Sequence, residues 1–141
     1  MSKKLTLSEV LTPAEIYAHW NVKRSTLQSN VRAHKFEDSE IRKSGRIFLF
    51  TLDGLIRMYG PPEIPFENCY NKKFNFSDII SISEAVQRWS LNPSTIRDYM
   101  TGRMDHGKFR EGKFLPDEFR QSGRNFIVTV PAVIRVFGPE K

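Results

Sequence analysis

Between residues 12 and 31 the apolar positions fall three and four apart, and the spacing breaks once. Ile16 and Trp20, with Tyr17 beside them, recur at helical spacing, Asn21-Val22 interrupts, and Leu27 with Val31 resumes the pattern. Thr12 precedes Pro13 and Glu15 stands three residues after Thr12, a capping-box arrangement with proline at the first helical position. Two short helices joined by a tight turn are predicted. Further on, the period becomes that of strands: a Ser44-Gly45 turn followed by Ile47-Phe48-Leu49-Phe50-Thr51 predicts a β-hairpin. Thr51 then caps a last amphipathic helix whose predicted buried side carries Leu55, Ile56 and Tyr59.

The second half of the chain repeats the first. Glu15-Ile16-Tyr17-Ala18-His19-Trp20 through Arg24-Ser25-Thr26-Leu27 lies on Glu84-Ala85-Val86-Gln87-Arg88-Trp89 through Pro93-Ser94-Thr95-Ile96. Lys35-Phe36 through Arg42-Lys43-Ser44-Gly45-Arg46 matches Lys113-Phe114 through Arg120-Gln121-Ser122-Gly123-Arg124, and Tyr59-Gly60-Pro61 matches Phe137-Gly138-Pro139. Glu84 stands 69 positions after Glu15 but Arg120 stands 78 after Arg42, so the second copy carries nine extra residues, placed around 101–112. In this copy Ser81 or Ser83 is the predicted cap, with Val86 and Trp89 inward. Asn92 caps the next helix before Pro93, with Ile96 and Met100 inward, and Thr129 caps the last, with Val133, Ile134 and Phe137 on its buried side.

Each copy thus reads as helix, helix, hairpin, helix. The chain is expected to be α+β, mostly α: two tandem winged helix-turn-helix units, 1–60 and 77–141, forming an internal pseudo-dimer. Between them, 61–76 reads as a linker stiffened by Pro61, Pro62 and Pro65, then an extended segment over 69–76 containing Tyr70, Phe74 and Phe76. The insertion, Asp105-His106-Gly107-Lys108-Phe109-Arg110-Glu111-Gly112, reads as a mobile basic loop.

Composition narrows the class. With 39% hydrophobic and 27% charged residues the chain is expected to be a folded soluble protein, and it has no run of apolar residues long enough for a membrane span. The segment after Met1-Ser2-Lys3-Lys4 is too polar for a secretion signal, and a single cysteine, Cys69, forms no internal disulfide, so a cytoplasmic setting is expected. Twenty-two Lys and Arg against 16 Asp and Glu give a net charge of +6, which favours an anionic partner.

A helix, tight turn and second helix let the second helix enter the major groove of double-stranded DNA, with the hairpin as a wing. The first reading helix then offers Lys23, Arg24, Ser25, Thr26, Gln28, Ser29 and Arg32 to phosphates or base edges. The second offers Ser94, Thr95, Arg97 and Tyr99, a less basic set that includes Asp98, with Arg103 just beyond. Arg46 and Arg124 follow the two Ser-Gly turns, where a wing-tip arginine reaches a phosphate or the minor groove. Trp20 and Trp89 are expected in cores and not stacked on single-stranded bases. An RNA platform of Phe48, Phe50 and Phe126 is a weaker alternative. His19, His34 and His106 lack ligand spacing, and there is no glycine-rich phosphate loop, so no catalytic residue, metal or cofactor is expected. A protein-protein adaptor is the alternative from another class; it would expose apolar anchors.

The run Leu11-Thr12-Pro13-Ala14-Glu15 to Val22-Lys23-Arg24-Ser25-Thr26-Leu27, with Arg42-Lys43-Ser44-Gly45-Arg46 and Tyr59-Gly60, resembles the small winged helix-turn-helix domains of the MerR and excisionase type. Two such units in one chain look like the TraN-type DNA-binding proteins of Gram-positive conjugative plasmids, in which tandem units act as an internal dimer. The resemblance implies a monomer that binds near a transfer origin or an operon promoter. Its implied role is relaxosome accessory factor or transcriptional repressor, with a relaxase or other transfer proteins as further partners. Unlike in a MerR regulator, no long coiled-coil helix follows the winged unit in this sequence and no effector domain is expected, so covalent duplication is expected to take the place of dimerisation.

Overall fold

The computed structural model describes residues 4–64, 70 and 72–140, without the side chains of Arg103, Asp105 and Arg110. The basic start, Met1-Ser2-Lys3, and the linker residues 65–69 and 71, with Pro65 and Cys69 among them, lie outside the described residues.

The first copy runs β1 (Lys4–Leu5), a 3-10 turn (Leu7–Glu9), β2 (Val10–Leu11), α1 (Pro13–Trp20), α2 (Arg24–Arg32), β3 (Ile41–Ser44), β4 (Ile47–Thr51) and α3 (Leu52–Tyr59). The second runs β5 (Phe74–Asn75), a 3-10 turn (Phe76–Asp78), β6 (Ile79–Ser81), α4 (Ile82–Trp89) and α5 (Pro93–Thr101). It continues through β7 (Arg103–Asp105), β8 (Lys108–Arg110), β9 (Phe119–Ser122), β10 (Asn125–Thr129) and α6 (Val130–Phe137). The duplication therefore starts earlier than the sequence blocks indicate, with Leu5-Thr6-Leu7-Ser8-Glu9-Val10-Leu11-Thr12 structurally equivalent to Phe74-Asn75-Phe76-Ser77-Asp78-Ile79-Ile80-Ser81.

Local chemistry explains the boundaries. Asn21 and Ser90, both left-handed at φ 53° and 54°, end α1 and α4 and turn the chain into the next helix. Asn92 caps α5 by accepting the Ser94 N–H at 3.0 Å, and Thr51 and Thr129 cap α3 and α6 through the N–H groups of Gly54 and Ala132 at 3.1 and 3.4 Å. Each copy folds its strands into a three-stranded antiparallel sheet, ordered β2-β4-β3 and β6-β10-β9.

Three apolar clusters hold the molecule together. Leu11, Ile16, Trp20, Leu27, Phe36, Phe50 and Leu55 fill the first copy, and Ile80, Ala85, Trp89, Ile96, Met100, Phe114, Val128 and Val133 the second. Both tryptophans are core residues, and their indole N–H groups donate to the carbonyls of Gly60 (2.8 Å) and Gly138 (2.9 Å), whose positive φ angles of 81° and 86° account for the repeated glycine. Phe50 is buried, and Phe48 and Phe126 pack against their own cores, so these rings form no open platform. The expected inward faces need three corrections. Ile56 and Ile134 are 40% and 46% exposed, and Ala85, not Val86, takes the buried place on α4. The last helices turn so that Gly54 and Leu55, or Ala132 and Val133, meet the sheet.

The third cluster joins the copies. Leu5, Leu7, Val10 and Leu49 of the first pack with Ile79 and Ile127 of the second, under an antiparallel pairing of β1 with β5 that sets Lys4 opposite Asn75 and Leu5 opposite Phe74. Around this core the polar contacts come in reciprocal sets. Arg120 forks onto Glu15 at 2.7 and 2.8 Å and donates to the carbonyls of Leu7 and Val10, while Ser122 donates to Glu15 at 2.6 Å. On the other side Arg42 donates to Glu84 (3.0 Å) and to the carbonyl of Ile79 (2.7 Å), while Ser44 donates to Glu84 at 2.6 Å. The capping box expected from Thr12 and Glu15 does not form. Thr12 instead gives its hydroxyl to the Ser122 carbonyl and its N–H to Ser122 Oγ, and Glu15 is held by Arg120 and Ser122.

The insertion forms a hairpin of β7 and β8 where the sequence predicts a loop. His106 and Gly107, at φ 49° and 79°, supply the two consecutive left-handed residues of a tight turn whose twist matches paired strands. The chain returns against the end of α5, where the N–H groups of Lys113 and Phe114 both bond to the Tyr99 carbonyl. A Cβ at Gly112 would stand 2.5 Å from the Met100 carbonyl oxygen, so glycine is required there.

Candidate nucleic-acid interface

Helix α2 presents one continuous polar face. Lys23, Arg24, Ser25, Thr26, Gln28, Ser29 and Arg32 are all exposed, while Leu27 anchors the opposite side in the core. No acidic residue lies in α2. Lys23 occupies the cap position without a side-chain capping bond, so the hydroxyls of Ser25 and Thr26 stand on the first turn without serving as caps. Asn30 is tied inward, donating to the Tyr59 hydroxyl at 2.6 Å.

The equivalent face of α5 is more committed to its own structure. Ser94 donates its hydroxyl to Asn92 at 2.8 Å, Thr95 is half-buried, and Tyr99 stacks on Phe137 with ring centres 5.0 Å apart, with Lys113 Nζ 4.7 Å from the Tyr99 ring centre. Arg97 is exposed, and half-buried Asp98 sits beside it in sequence. Arg103 opens β7 and is carried on the inserted hairpin; its side chain is outside the description.

The Ser-Gly turns do not stand free as wing tips. Gly45 lies against the start of α4, where an added Cβ would meet Ser83 Oγ at 2.2 Å and the Glu84 nitrogen at 2.7 Å, and the Arg46 N–H donates to Ser83 Oγ at 3.1 Å. Gly123 lies in the same way on α1, with Ala14 Cβ 2.6 Å from where its own would be. The side chains of Arg46 and Arg124 remain exposed beside the helices they dock on.

Two helices joined by a left-handed turn, the second exposing a polar face, is the helix-turn-helix arrangement, and it occurs twice. A sequence profile described as "Helix-turn-helix domain" matches residues 1–64 and 71–141. The chain belongs to the helix-turn-helix domain family. No curated protein and no solved structure matches this helix-turn-helix chain.

In the helix-turn-helix protein His19 pairs through Nδ1 with the Ile64 carbonyl at 2.6 Å, while His34 and His106 sit at left-handed turns. Among the described residues no group of three or more His, Cys, Asp or Glu is placed to hold a metal ion, and no helix is long and apolar enough to cross a membrane. Sequence reasoning missed the role of Glu15, Arg42, Glu84 and Arg120, which join the two helix-turn-helix copies. The available signal was that Glu15 and Glu84, and Arg42 and Arg120, are identical pairs in the repeat.

Proposed function

We propose that the chain binds double-stranded DNA without catalysing a reaction, as a monomer acting as an internal dimer. The two units, the first over 1–60 and the second from β5 onward, place α2 and α5 at two half-sites. The observation that carries this reading is the exposed face of α2, with Lys23, Arg24 and Arg32 among small hydroxyl and amide side chains and no carboxylate. Such a face suits phosphates and base edges together. The net charge of +6 adds long-range attraction to a polyanion.

Within that reading the chain is a plasmid-transfer accessory factor or an operon repressor of the cytoplasm, a role that rests on the resemblance to TraN-type proteins. The direct contacts are those of Lys23, Arg24, Ser25, Thr26, Gln28, Ser29 and Arg32 in one head, and Ser94, Thr95, Arg97 and Arg103 in the other. Tyr99, stacked on Phe137, is the member of the expected set whose ring already has a partner.

The adaptor reading has one observation in its favour. Met104 and Phe109, opposite one another on the inserted hairpin, are 65% and 61% exposed, an apolar pair of the kind a protein partner such as a relaxase covers. The test is a titration of the purified chain against matched duplex DNA, single-stranded DNA and duplex RNA across salt concentration. Duplex DNA preference, with affinity falling steeply as salt rises, is the expected result. Binding to none of them at low salt would leave the adaptor reading in its place.

A further inference from the structure

We propose that the two DNA-reading heads are crossed: Arg46, on the hairpin of the first copy, serves the head built on α4 and α5, and Arg124, on the hairpin of the second, serves the head built on α1 and α2. This rests on the reading of the chain as a DNA binder.

A free-standing winged unit offers its hairpin only the reading helix of that same unit. Here each hairpin turn crosses to the other copy. The fit of Gly45 against Ser83 and Glu84 leaves no room for a side chain, and the Arg46 N–H is pinned to Ser83 at 3.1 Å, so the arginine starts from a defined point beside the first turn of α4. Its exposed side chain lines a cleft of about 450 Å³ together with Gln87 of α4 and Arg97 of α5, both from the second copy. No acidic residue lines that cleft. Two arginine side chains line this one carboxylate-free cleft, and the planar guanidinium fork matches a phosphate. In a helix-turn-helix head the first helix crosses the DNA backbone while the second enters the groove, which brings a phosphate strand past this position.

The hairpin crossing is mirrored at Arg124. Ser122 bonds to Thr12 and Glu15, Gly123 sits on Ala14, and the arginine follows them beside the first turn of α1. The reciprocal salt bridges Arg42–Glu84 and Arg120–Glu15 fix both crossings.

The experiment uses the full chain and a duplex selected by it from random sequence, read by hydroxyl-radical footprinting. Arg24→Ala identifies the half-site read by α2, and Arg97→Ala the one read by α5. Arg46→Ala is expected to weaken binding about tenfold, as loss of one charged hydrogen bond does, and to lose protection on the Arg97 side. Arg124→Ala should lose it on the Arg24 side. Arg46→Gln, which keeps the aliphatic stem, is made alongside and should shift the same half-site. Loss on the Arg24 side in the Arg46 variants, or full protection of both half-sites, overturns the crossed assignment while leaving DNA binding intact. Absence of any protected duplex with the unaltered chain overturns DNA binding itself, and the crossing with it.

Discussion

Glu15 and Glu84 hold the same place in the two copies, and each is claimed by an arginine and a serine from the other. The two pairs are not equally enclosed: Arg120 and Glu15 are each 11% exposed, whereas Arg42 is 25% exposed. Removing one partner of an enclosed pair strands the other charge, at a cost of about 3 kcal/mol or more. Arg120→Ala should therefore destabilise the chain by about that amount and Arg42→Ala by less, as compared by urea unfolding. Equal losses would mean that enclosure does not set the difference. A second repeated pair gives a pH dependence. The Arg57 guanidinium bonded to Glu40 holds that carboxyl below its ordinary value of 4.5 against the opposing effect of burial. At Glu118 burial is the largest influence and acts upward, but hydrogen bonds from Arg135 and the Leu115 N–H, with the Arg135 charge, together outweigh it and lower the value. Below pH 4.5 the unfolded chain then binds more protons at these sites than the folded one, so stability contributed by both pairs is complete above that pH and is lost as pH falls further. The melting temperature should drop through this window, and Glu40→Gln should flatten the drop.

At the scale of elements, the second helices of the two copies, α2 and α5, differ in how far their side chains are engaged by the fold. On α2 the basic and hydroxyl residues are exposed and the helix contains no acidic residue, whereas on α5 Ser94 serves the cap, Tyr99 stacks on Phe137, and Asp98 adjoins Arg97. Arg24→Ala is expected to weaken duplex binding more than Arg97→Ala, and a reversed order in side-by-side titrations would count against α2 as the dominant reader. The helices, caps and hairpins were legible in the sequence because they rest on local rules: helical spacing, Thr51 and Thr129 as caps, Asn92 before Pro93. What was not legible depended on neighbours distant in the chain. Thr12 and Glu15 have the spacing of a capping box, yet partners more than 100 residues away hold both. The hairpin at 103–110 was hidden because its strands are three residues long and polar at most positions, and only the turn at His106-Gly107 marks it.

For the molecule as a whole, the third core decides how the copies behave. A unit of about 60 residues buries too little surface to be more than marginal by itself, and separating these two would expose Leu5, Leu7, Val10 and Leu49 on one side and Ile79 and Ile127 on the other. The full chain is expected to unfold in one calorimetric transition, and residues 1–64 expressed alone to show none at that temperature. Two separate transitions, or a fragment that melts like the parent, would mean that the junction contributes little.

The hairpin formed by β7 and β8 belongs to one copy only. A dimer of identical subunits looks the same from either end of its binding site and cannot tell upstream from downstream. This chain has a left and a right. Seated on a two-part site, it would set the Met104 and Phe109 pair at one flank and leave the other bare. Anything recruited through that pair would arrive facing a single direction along the duplex.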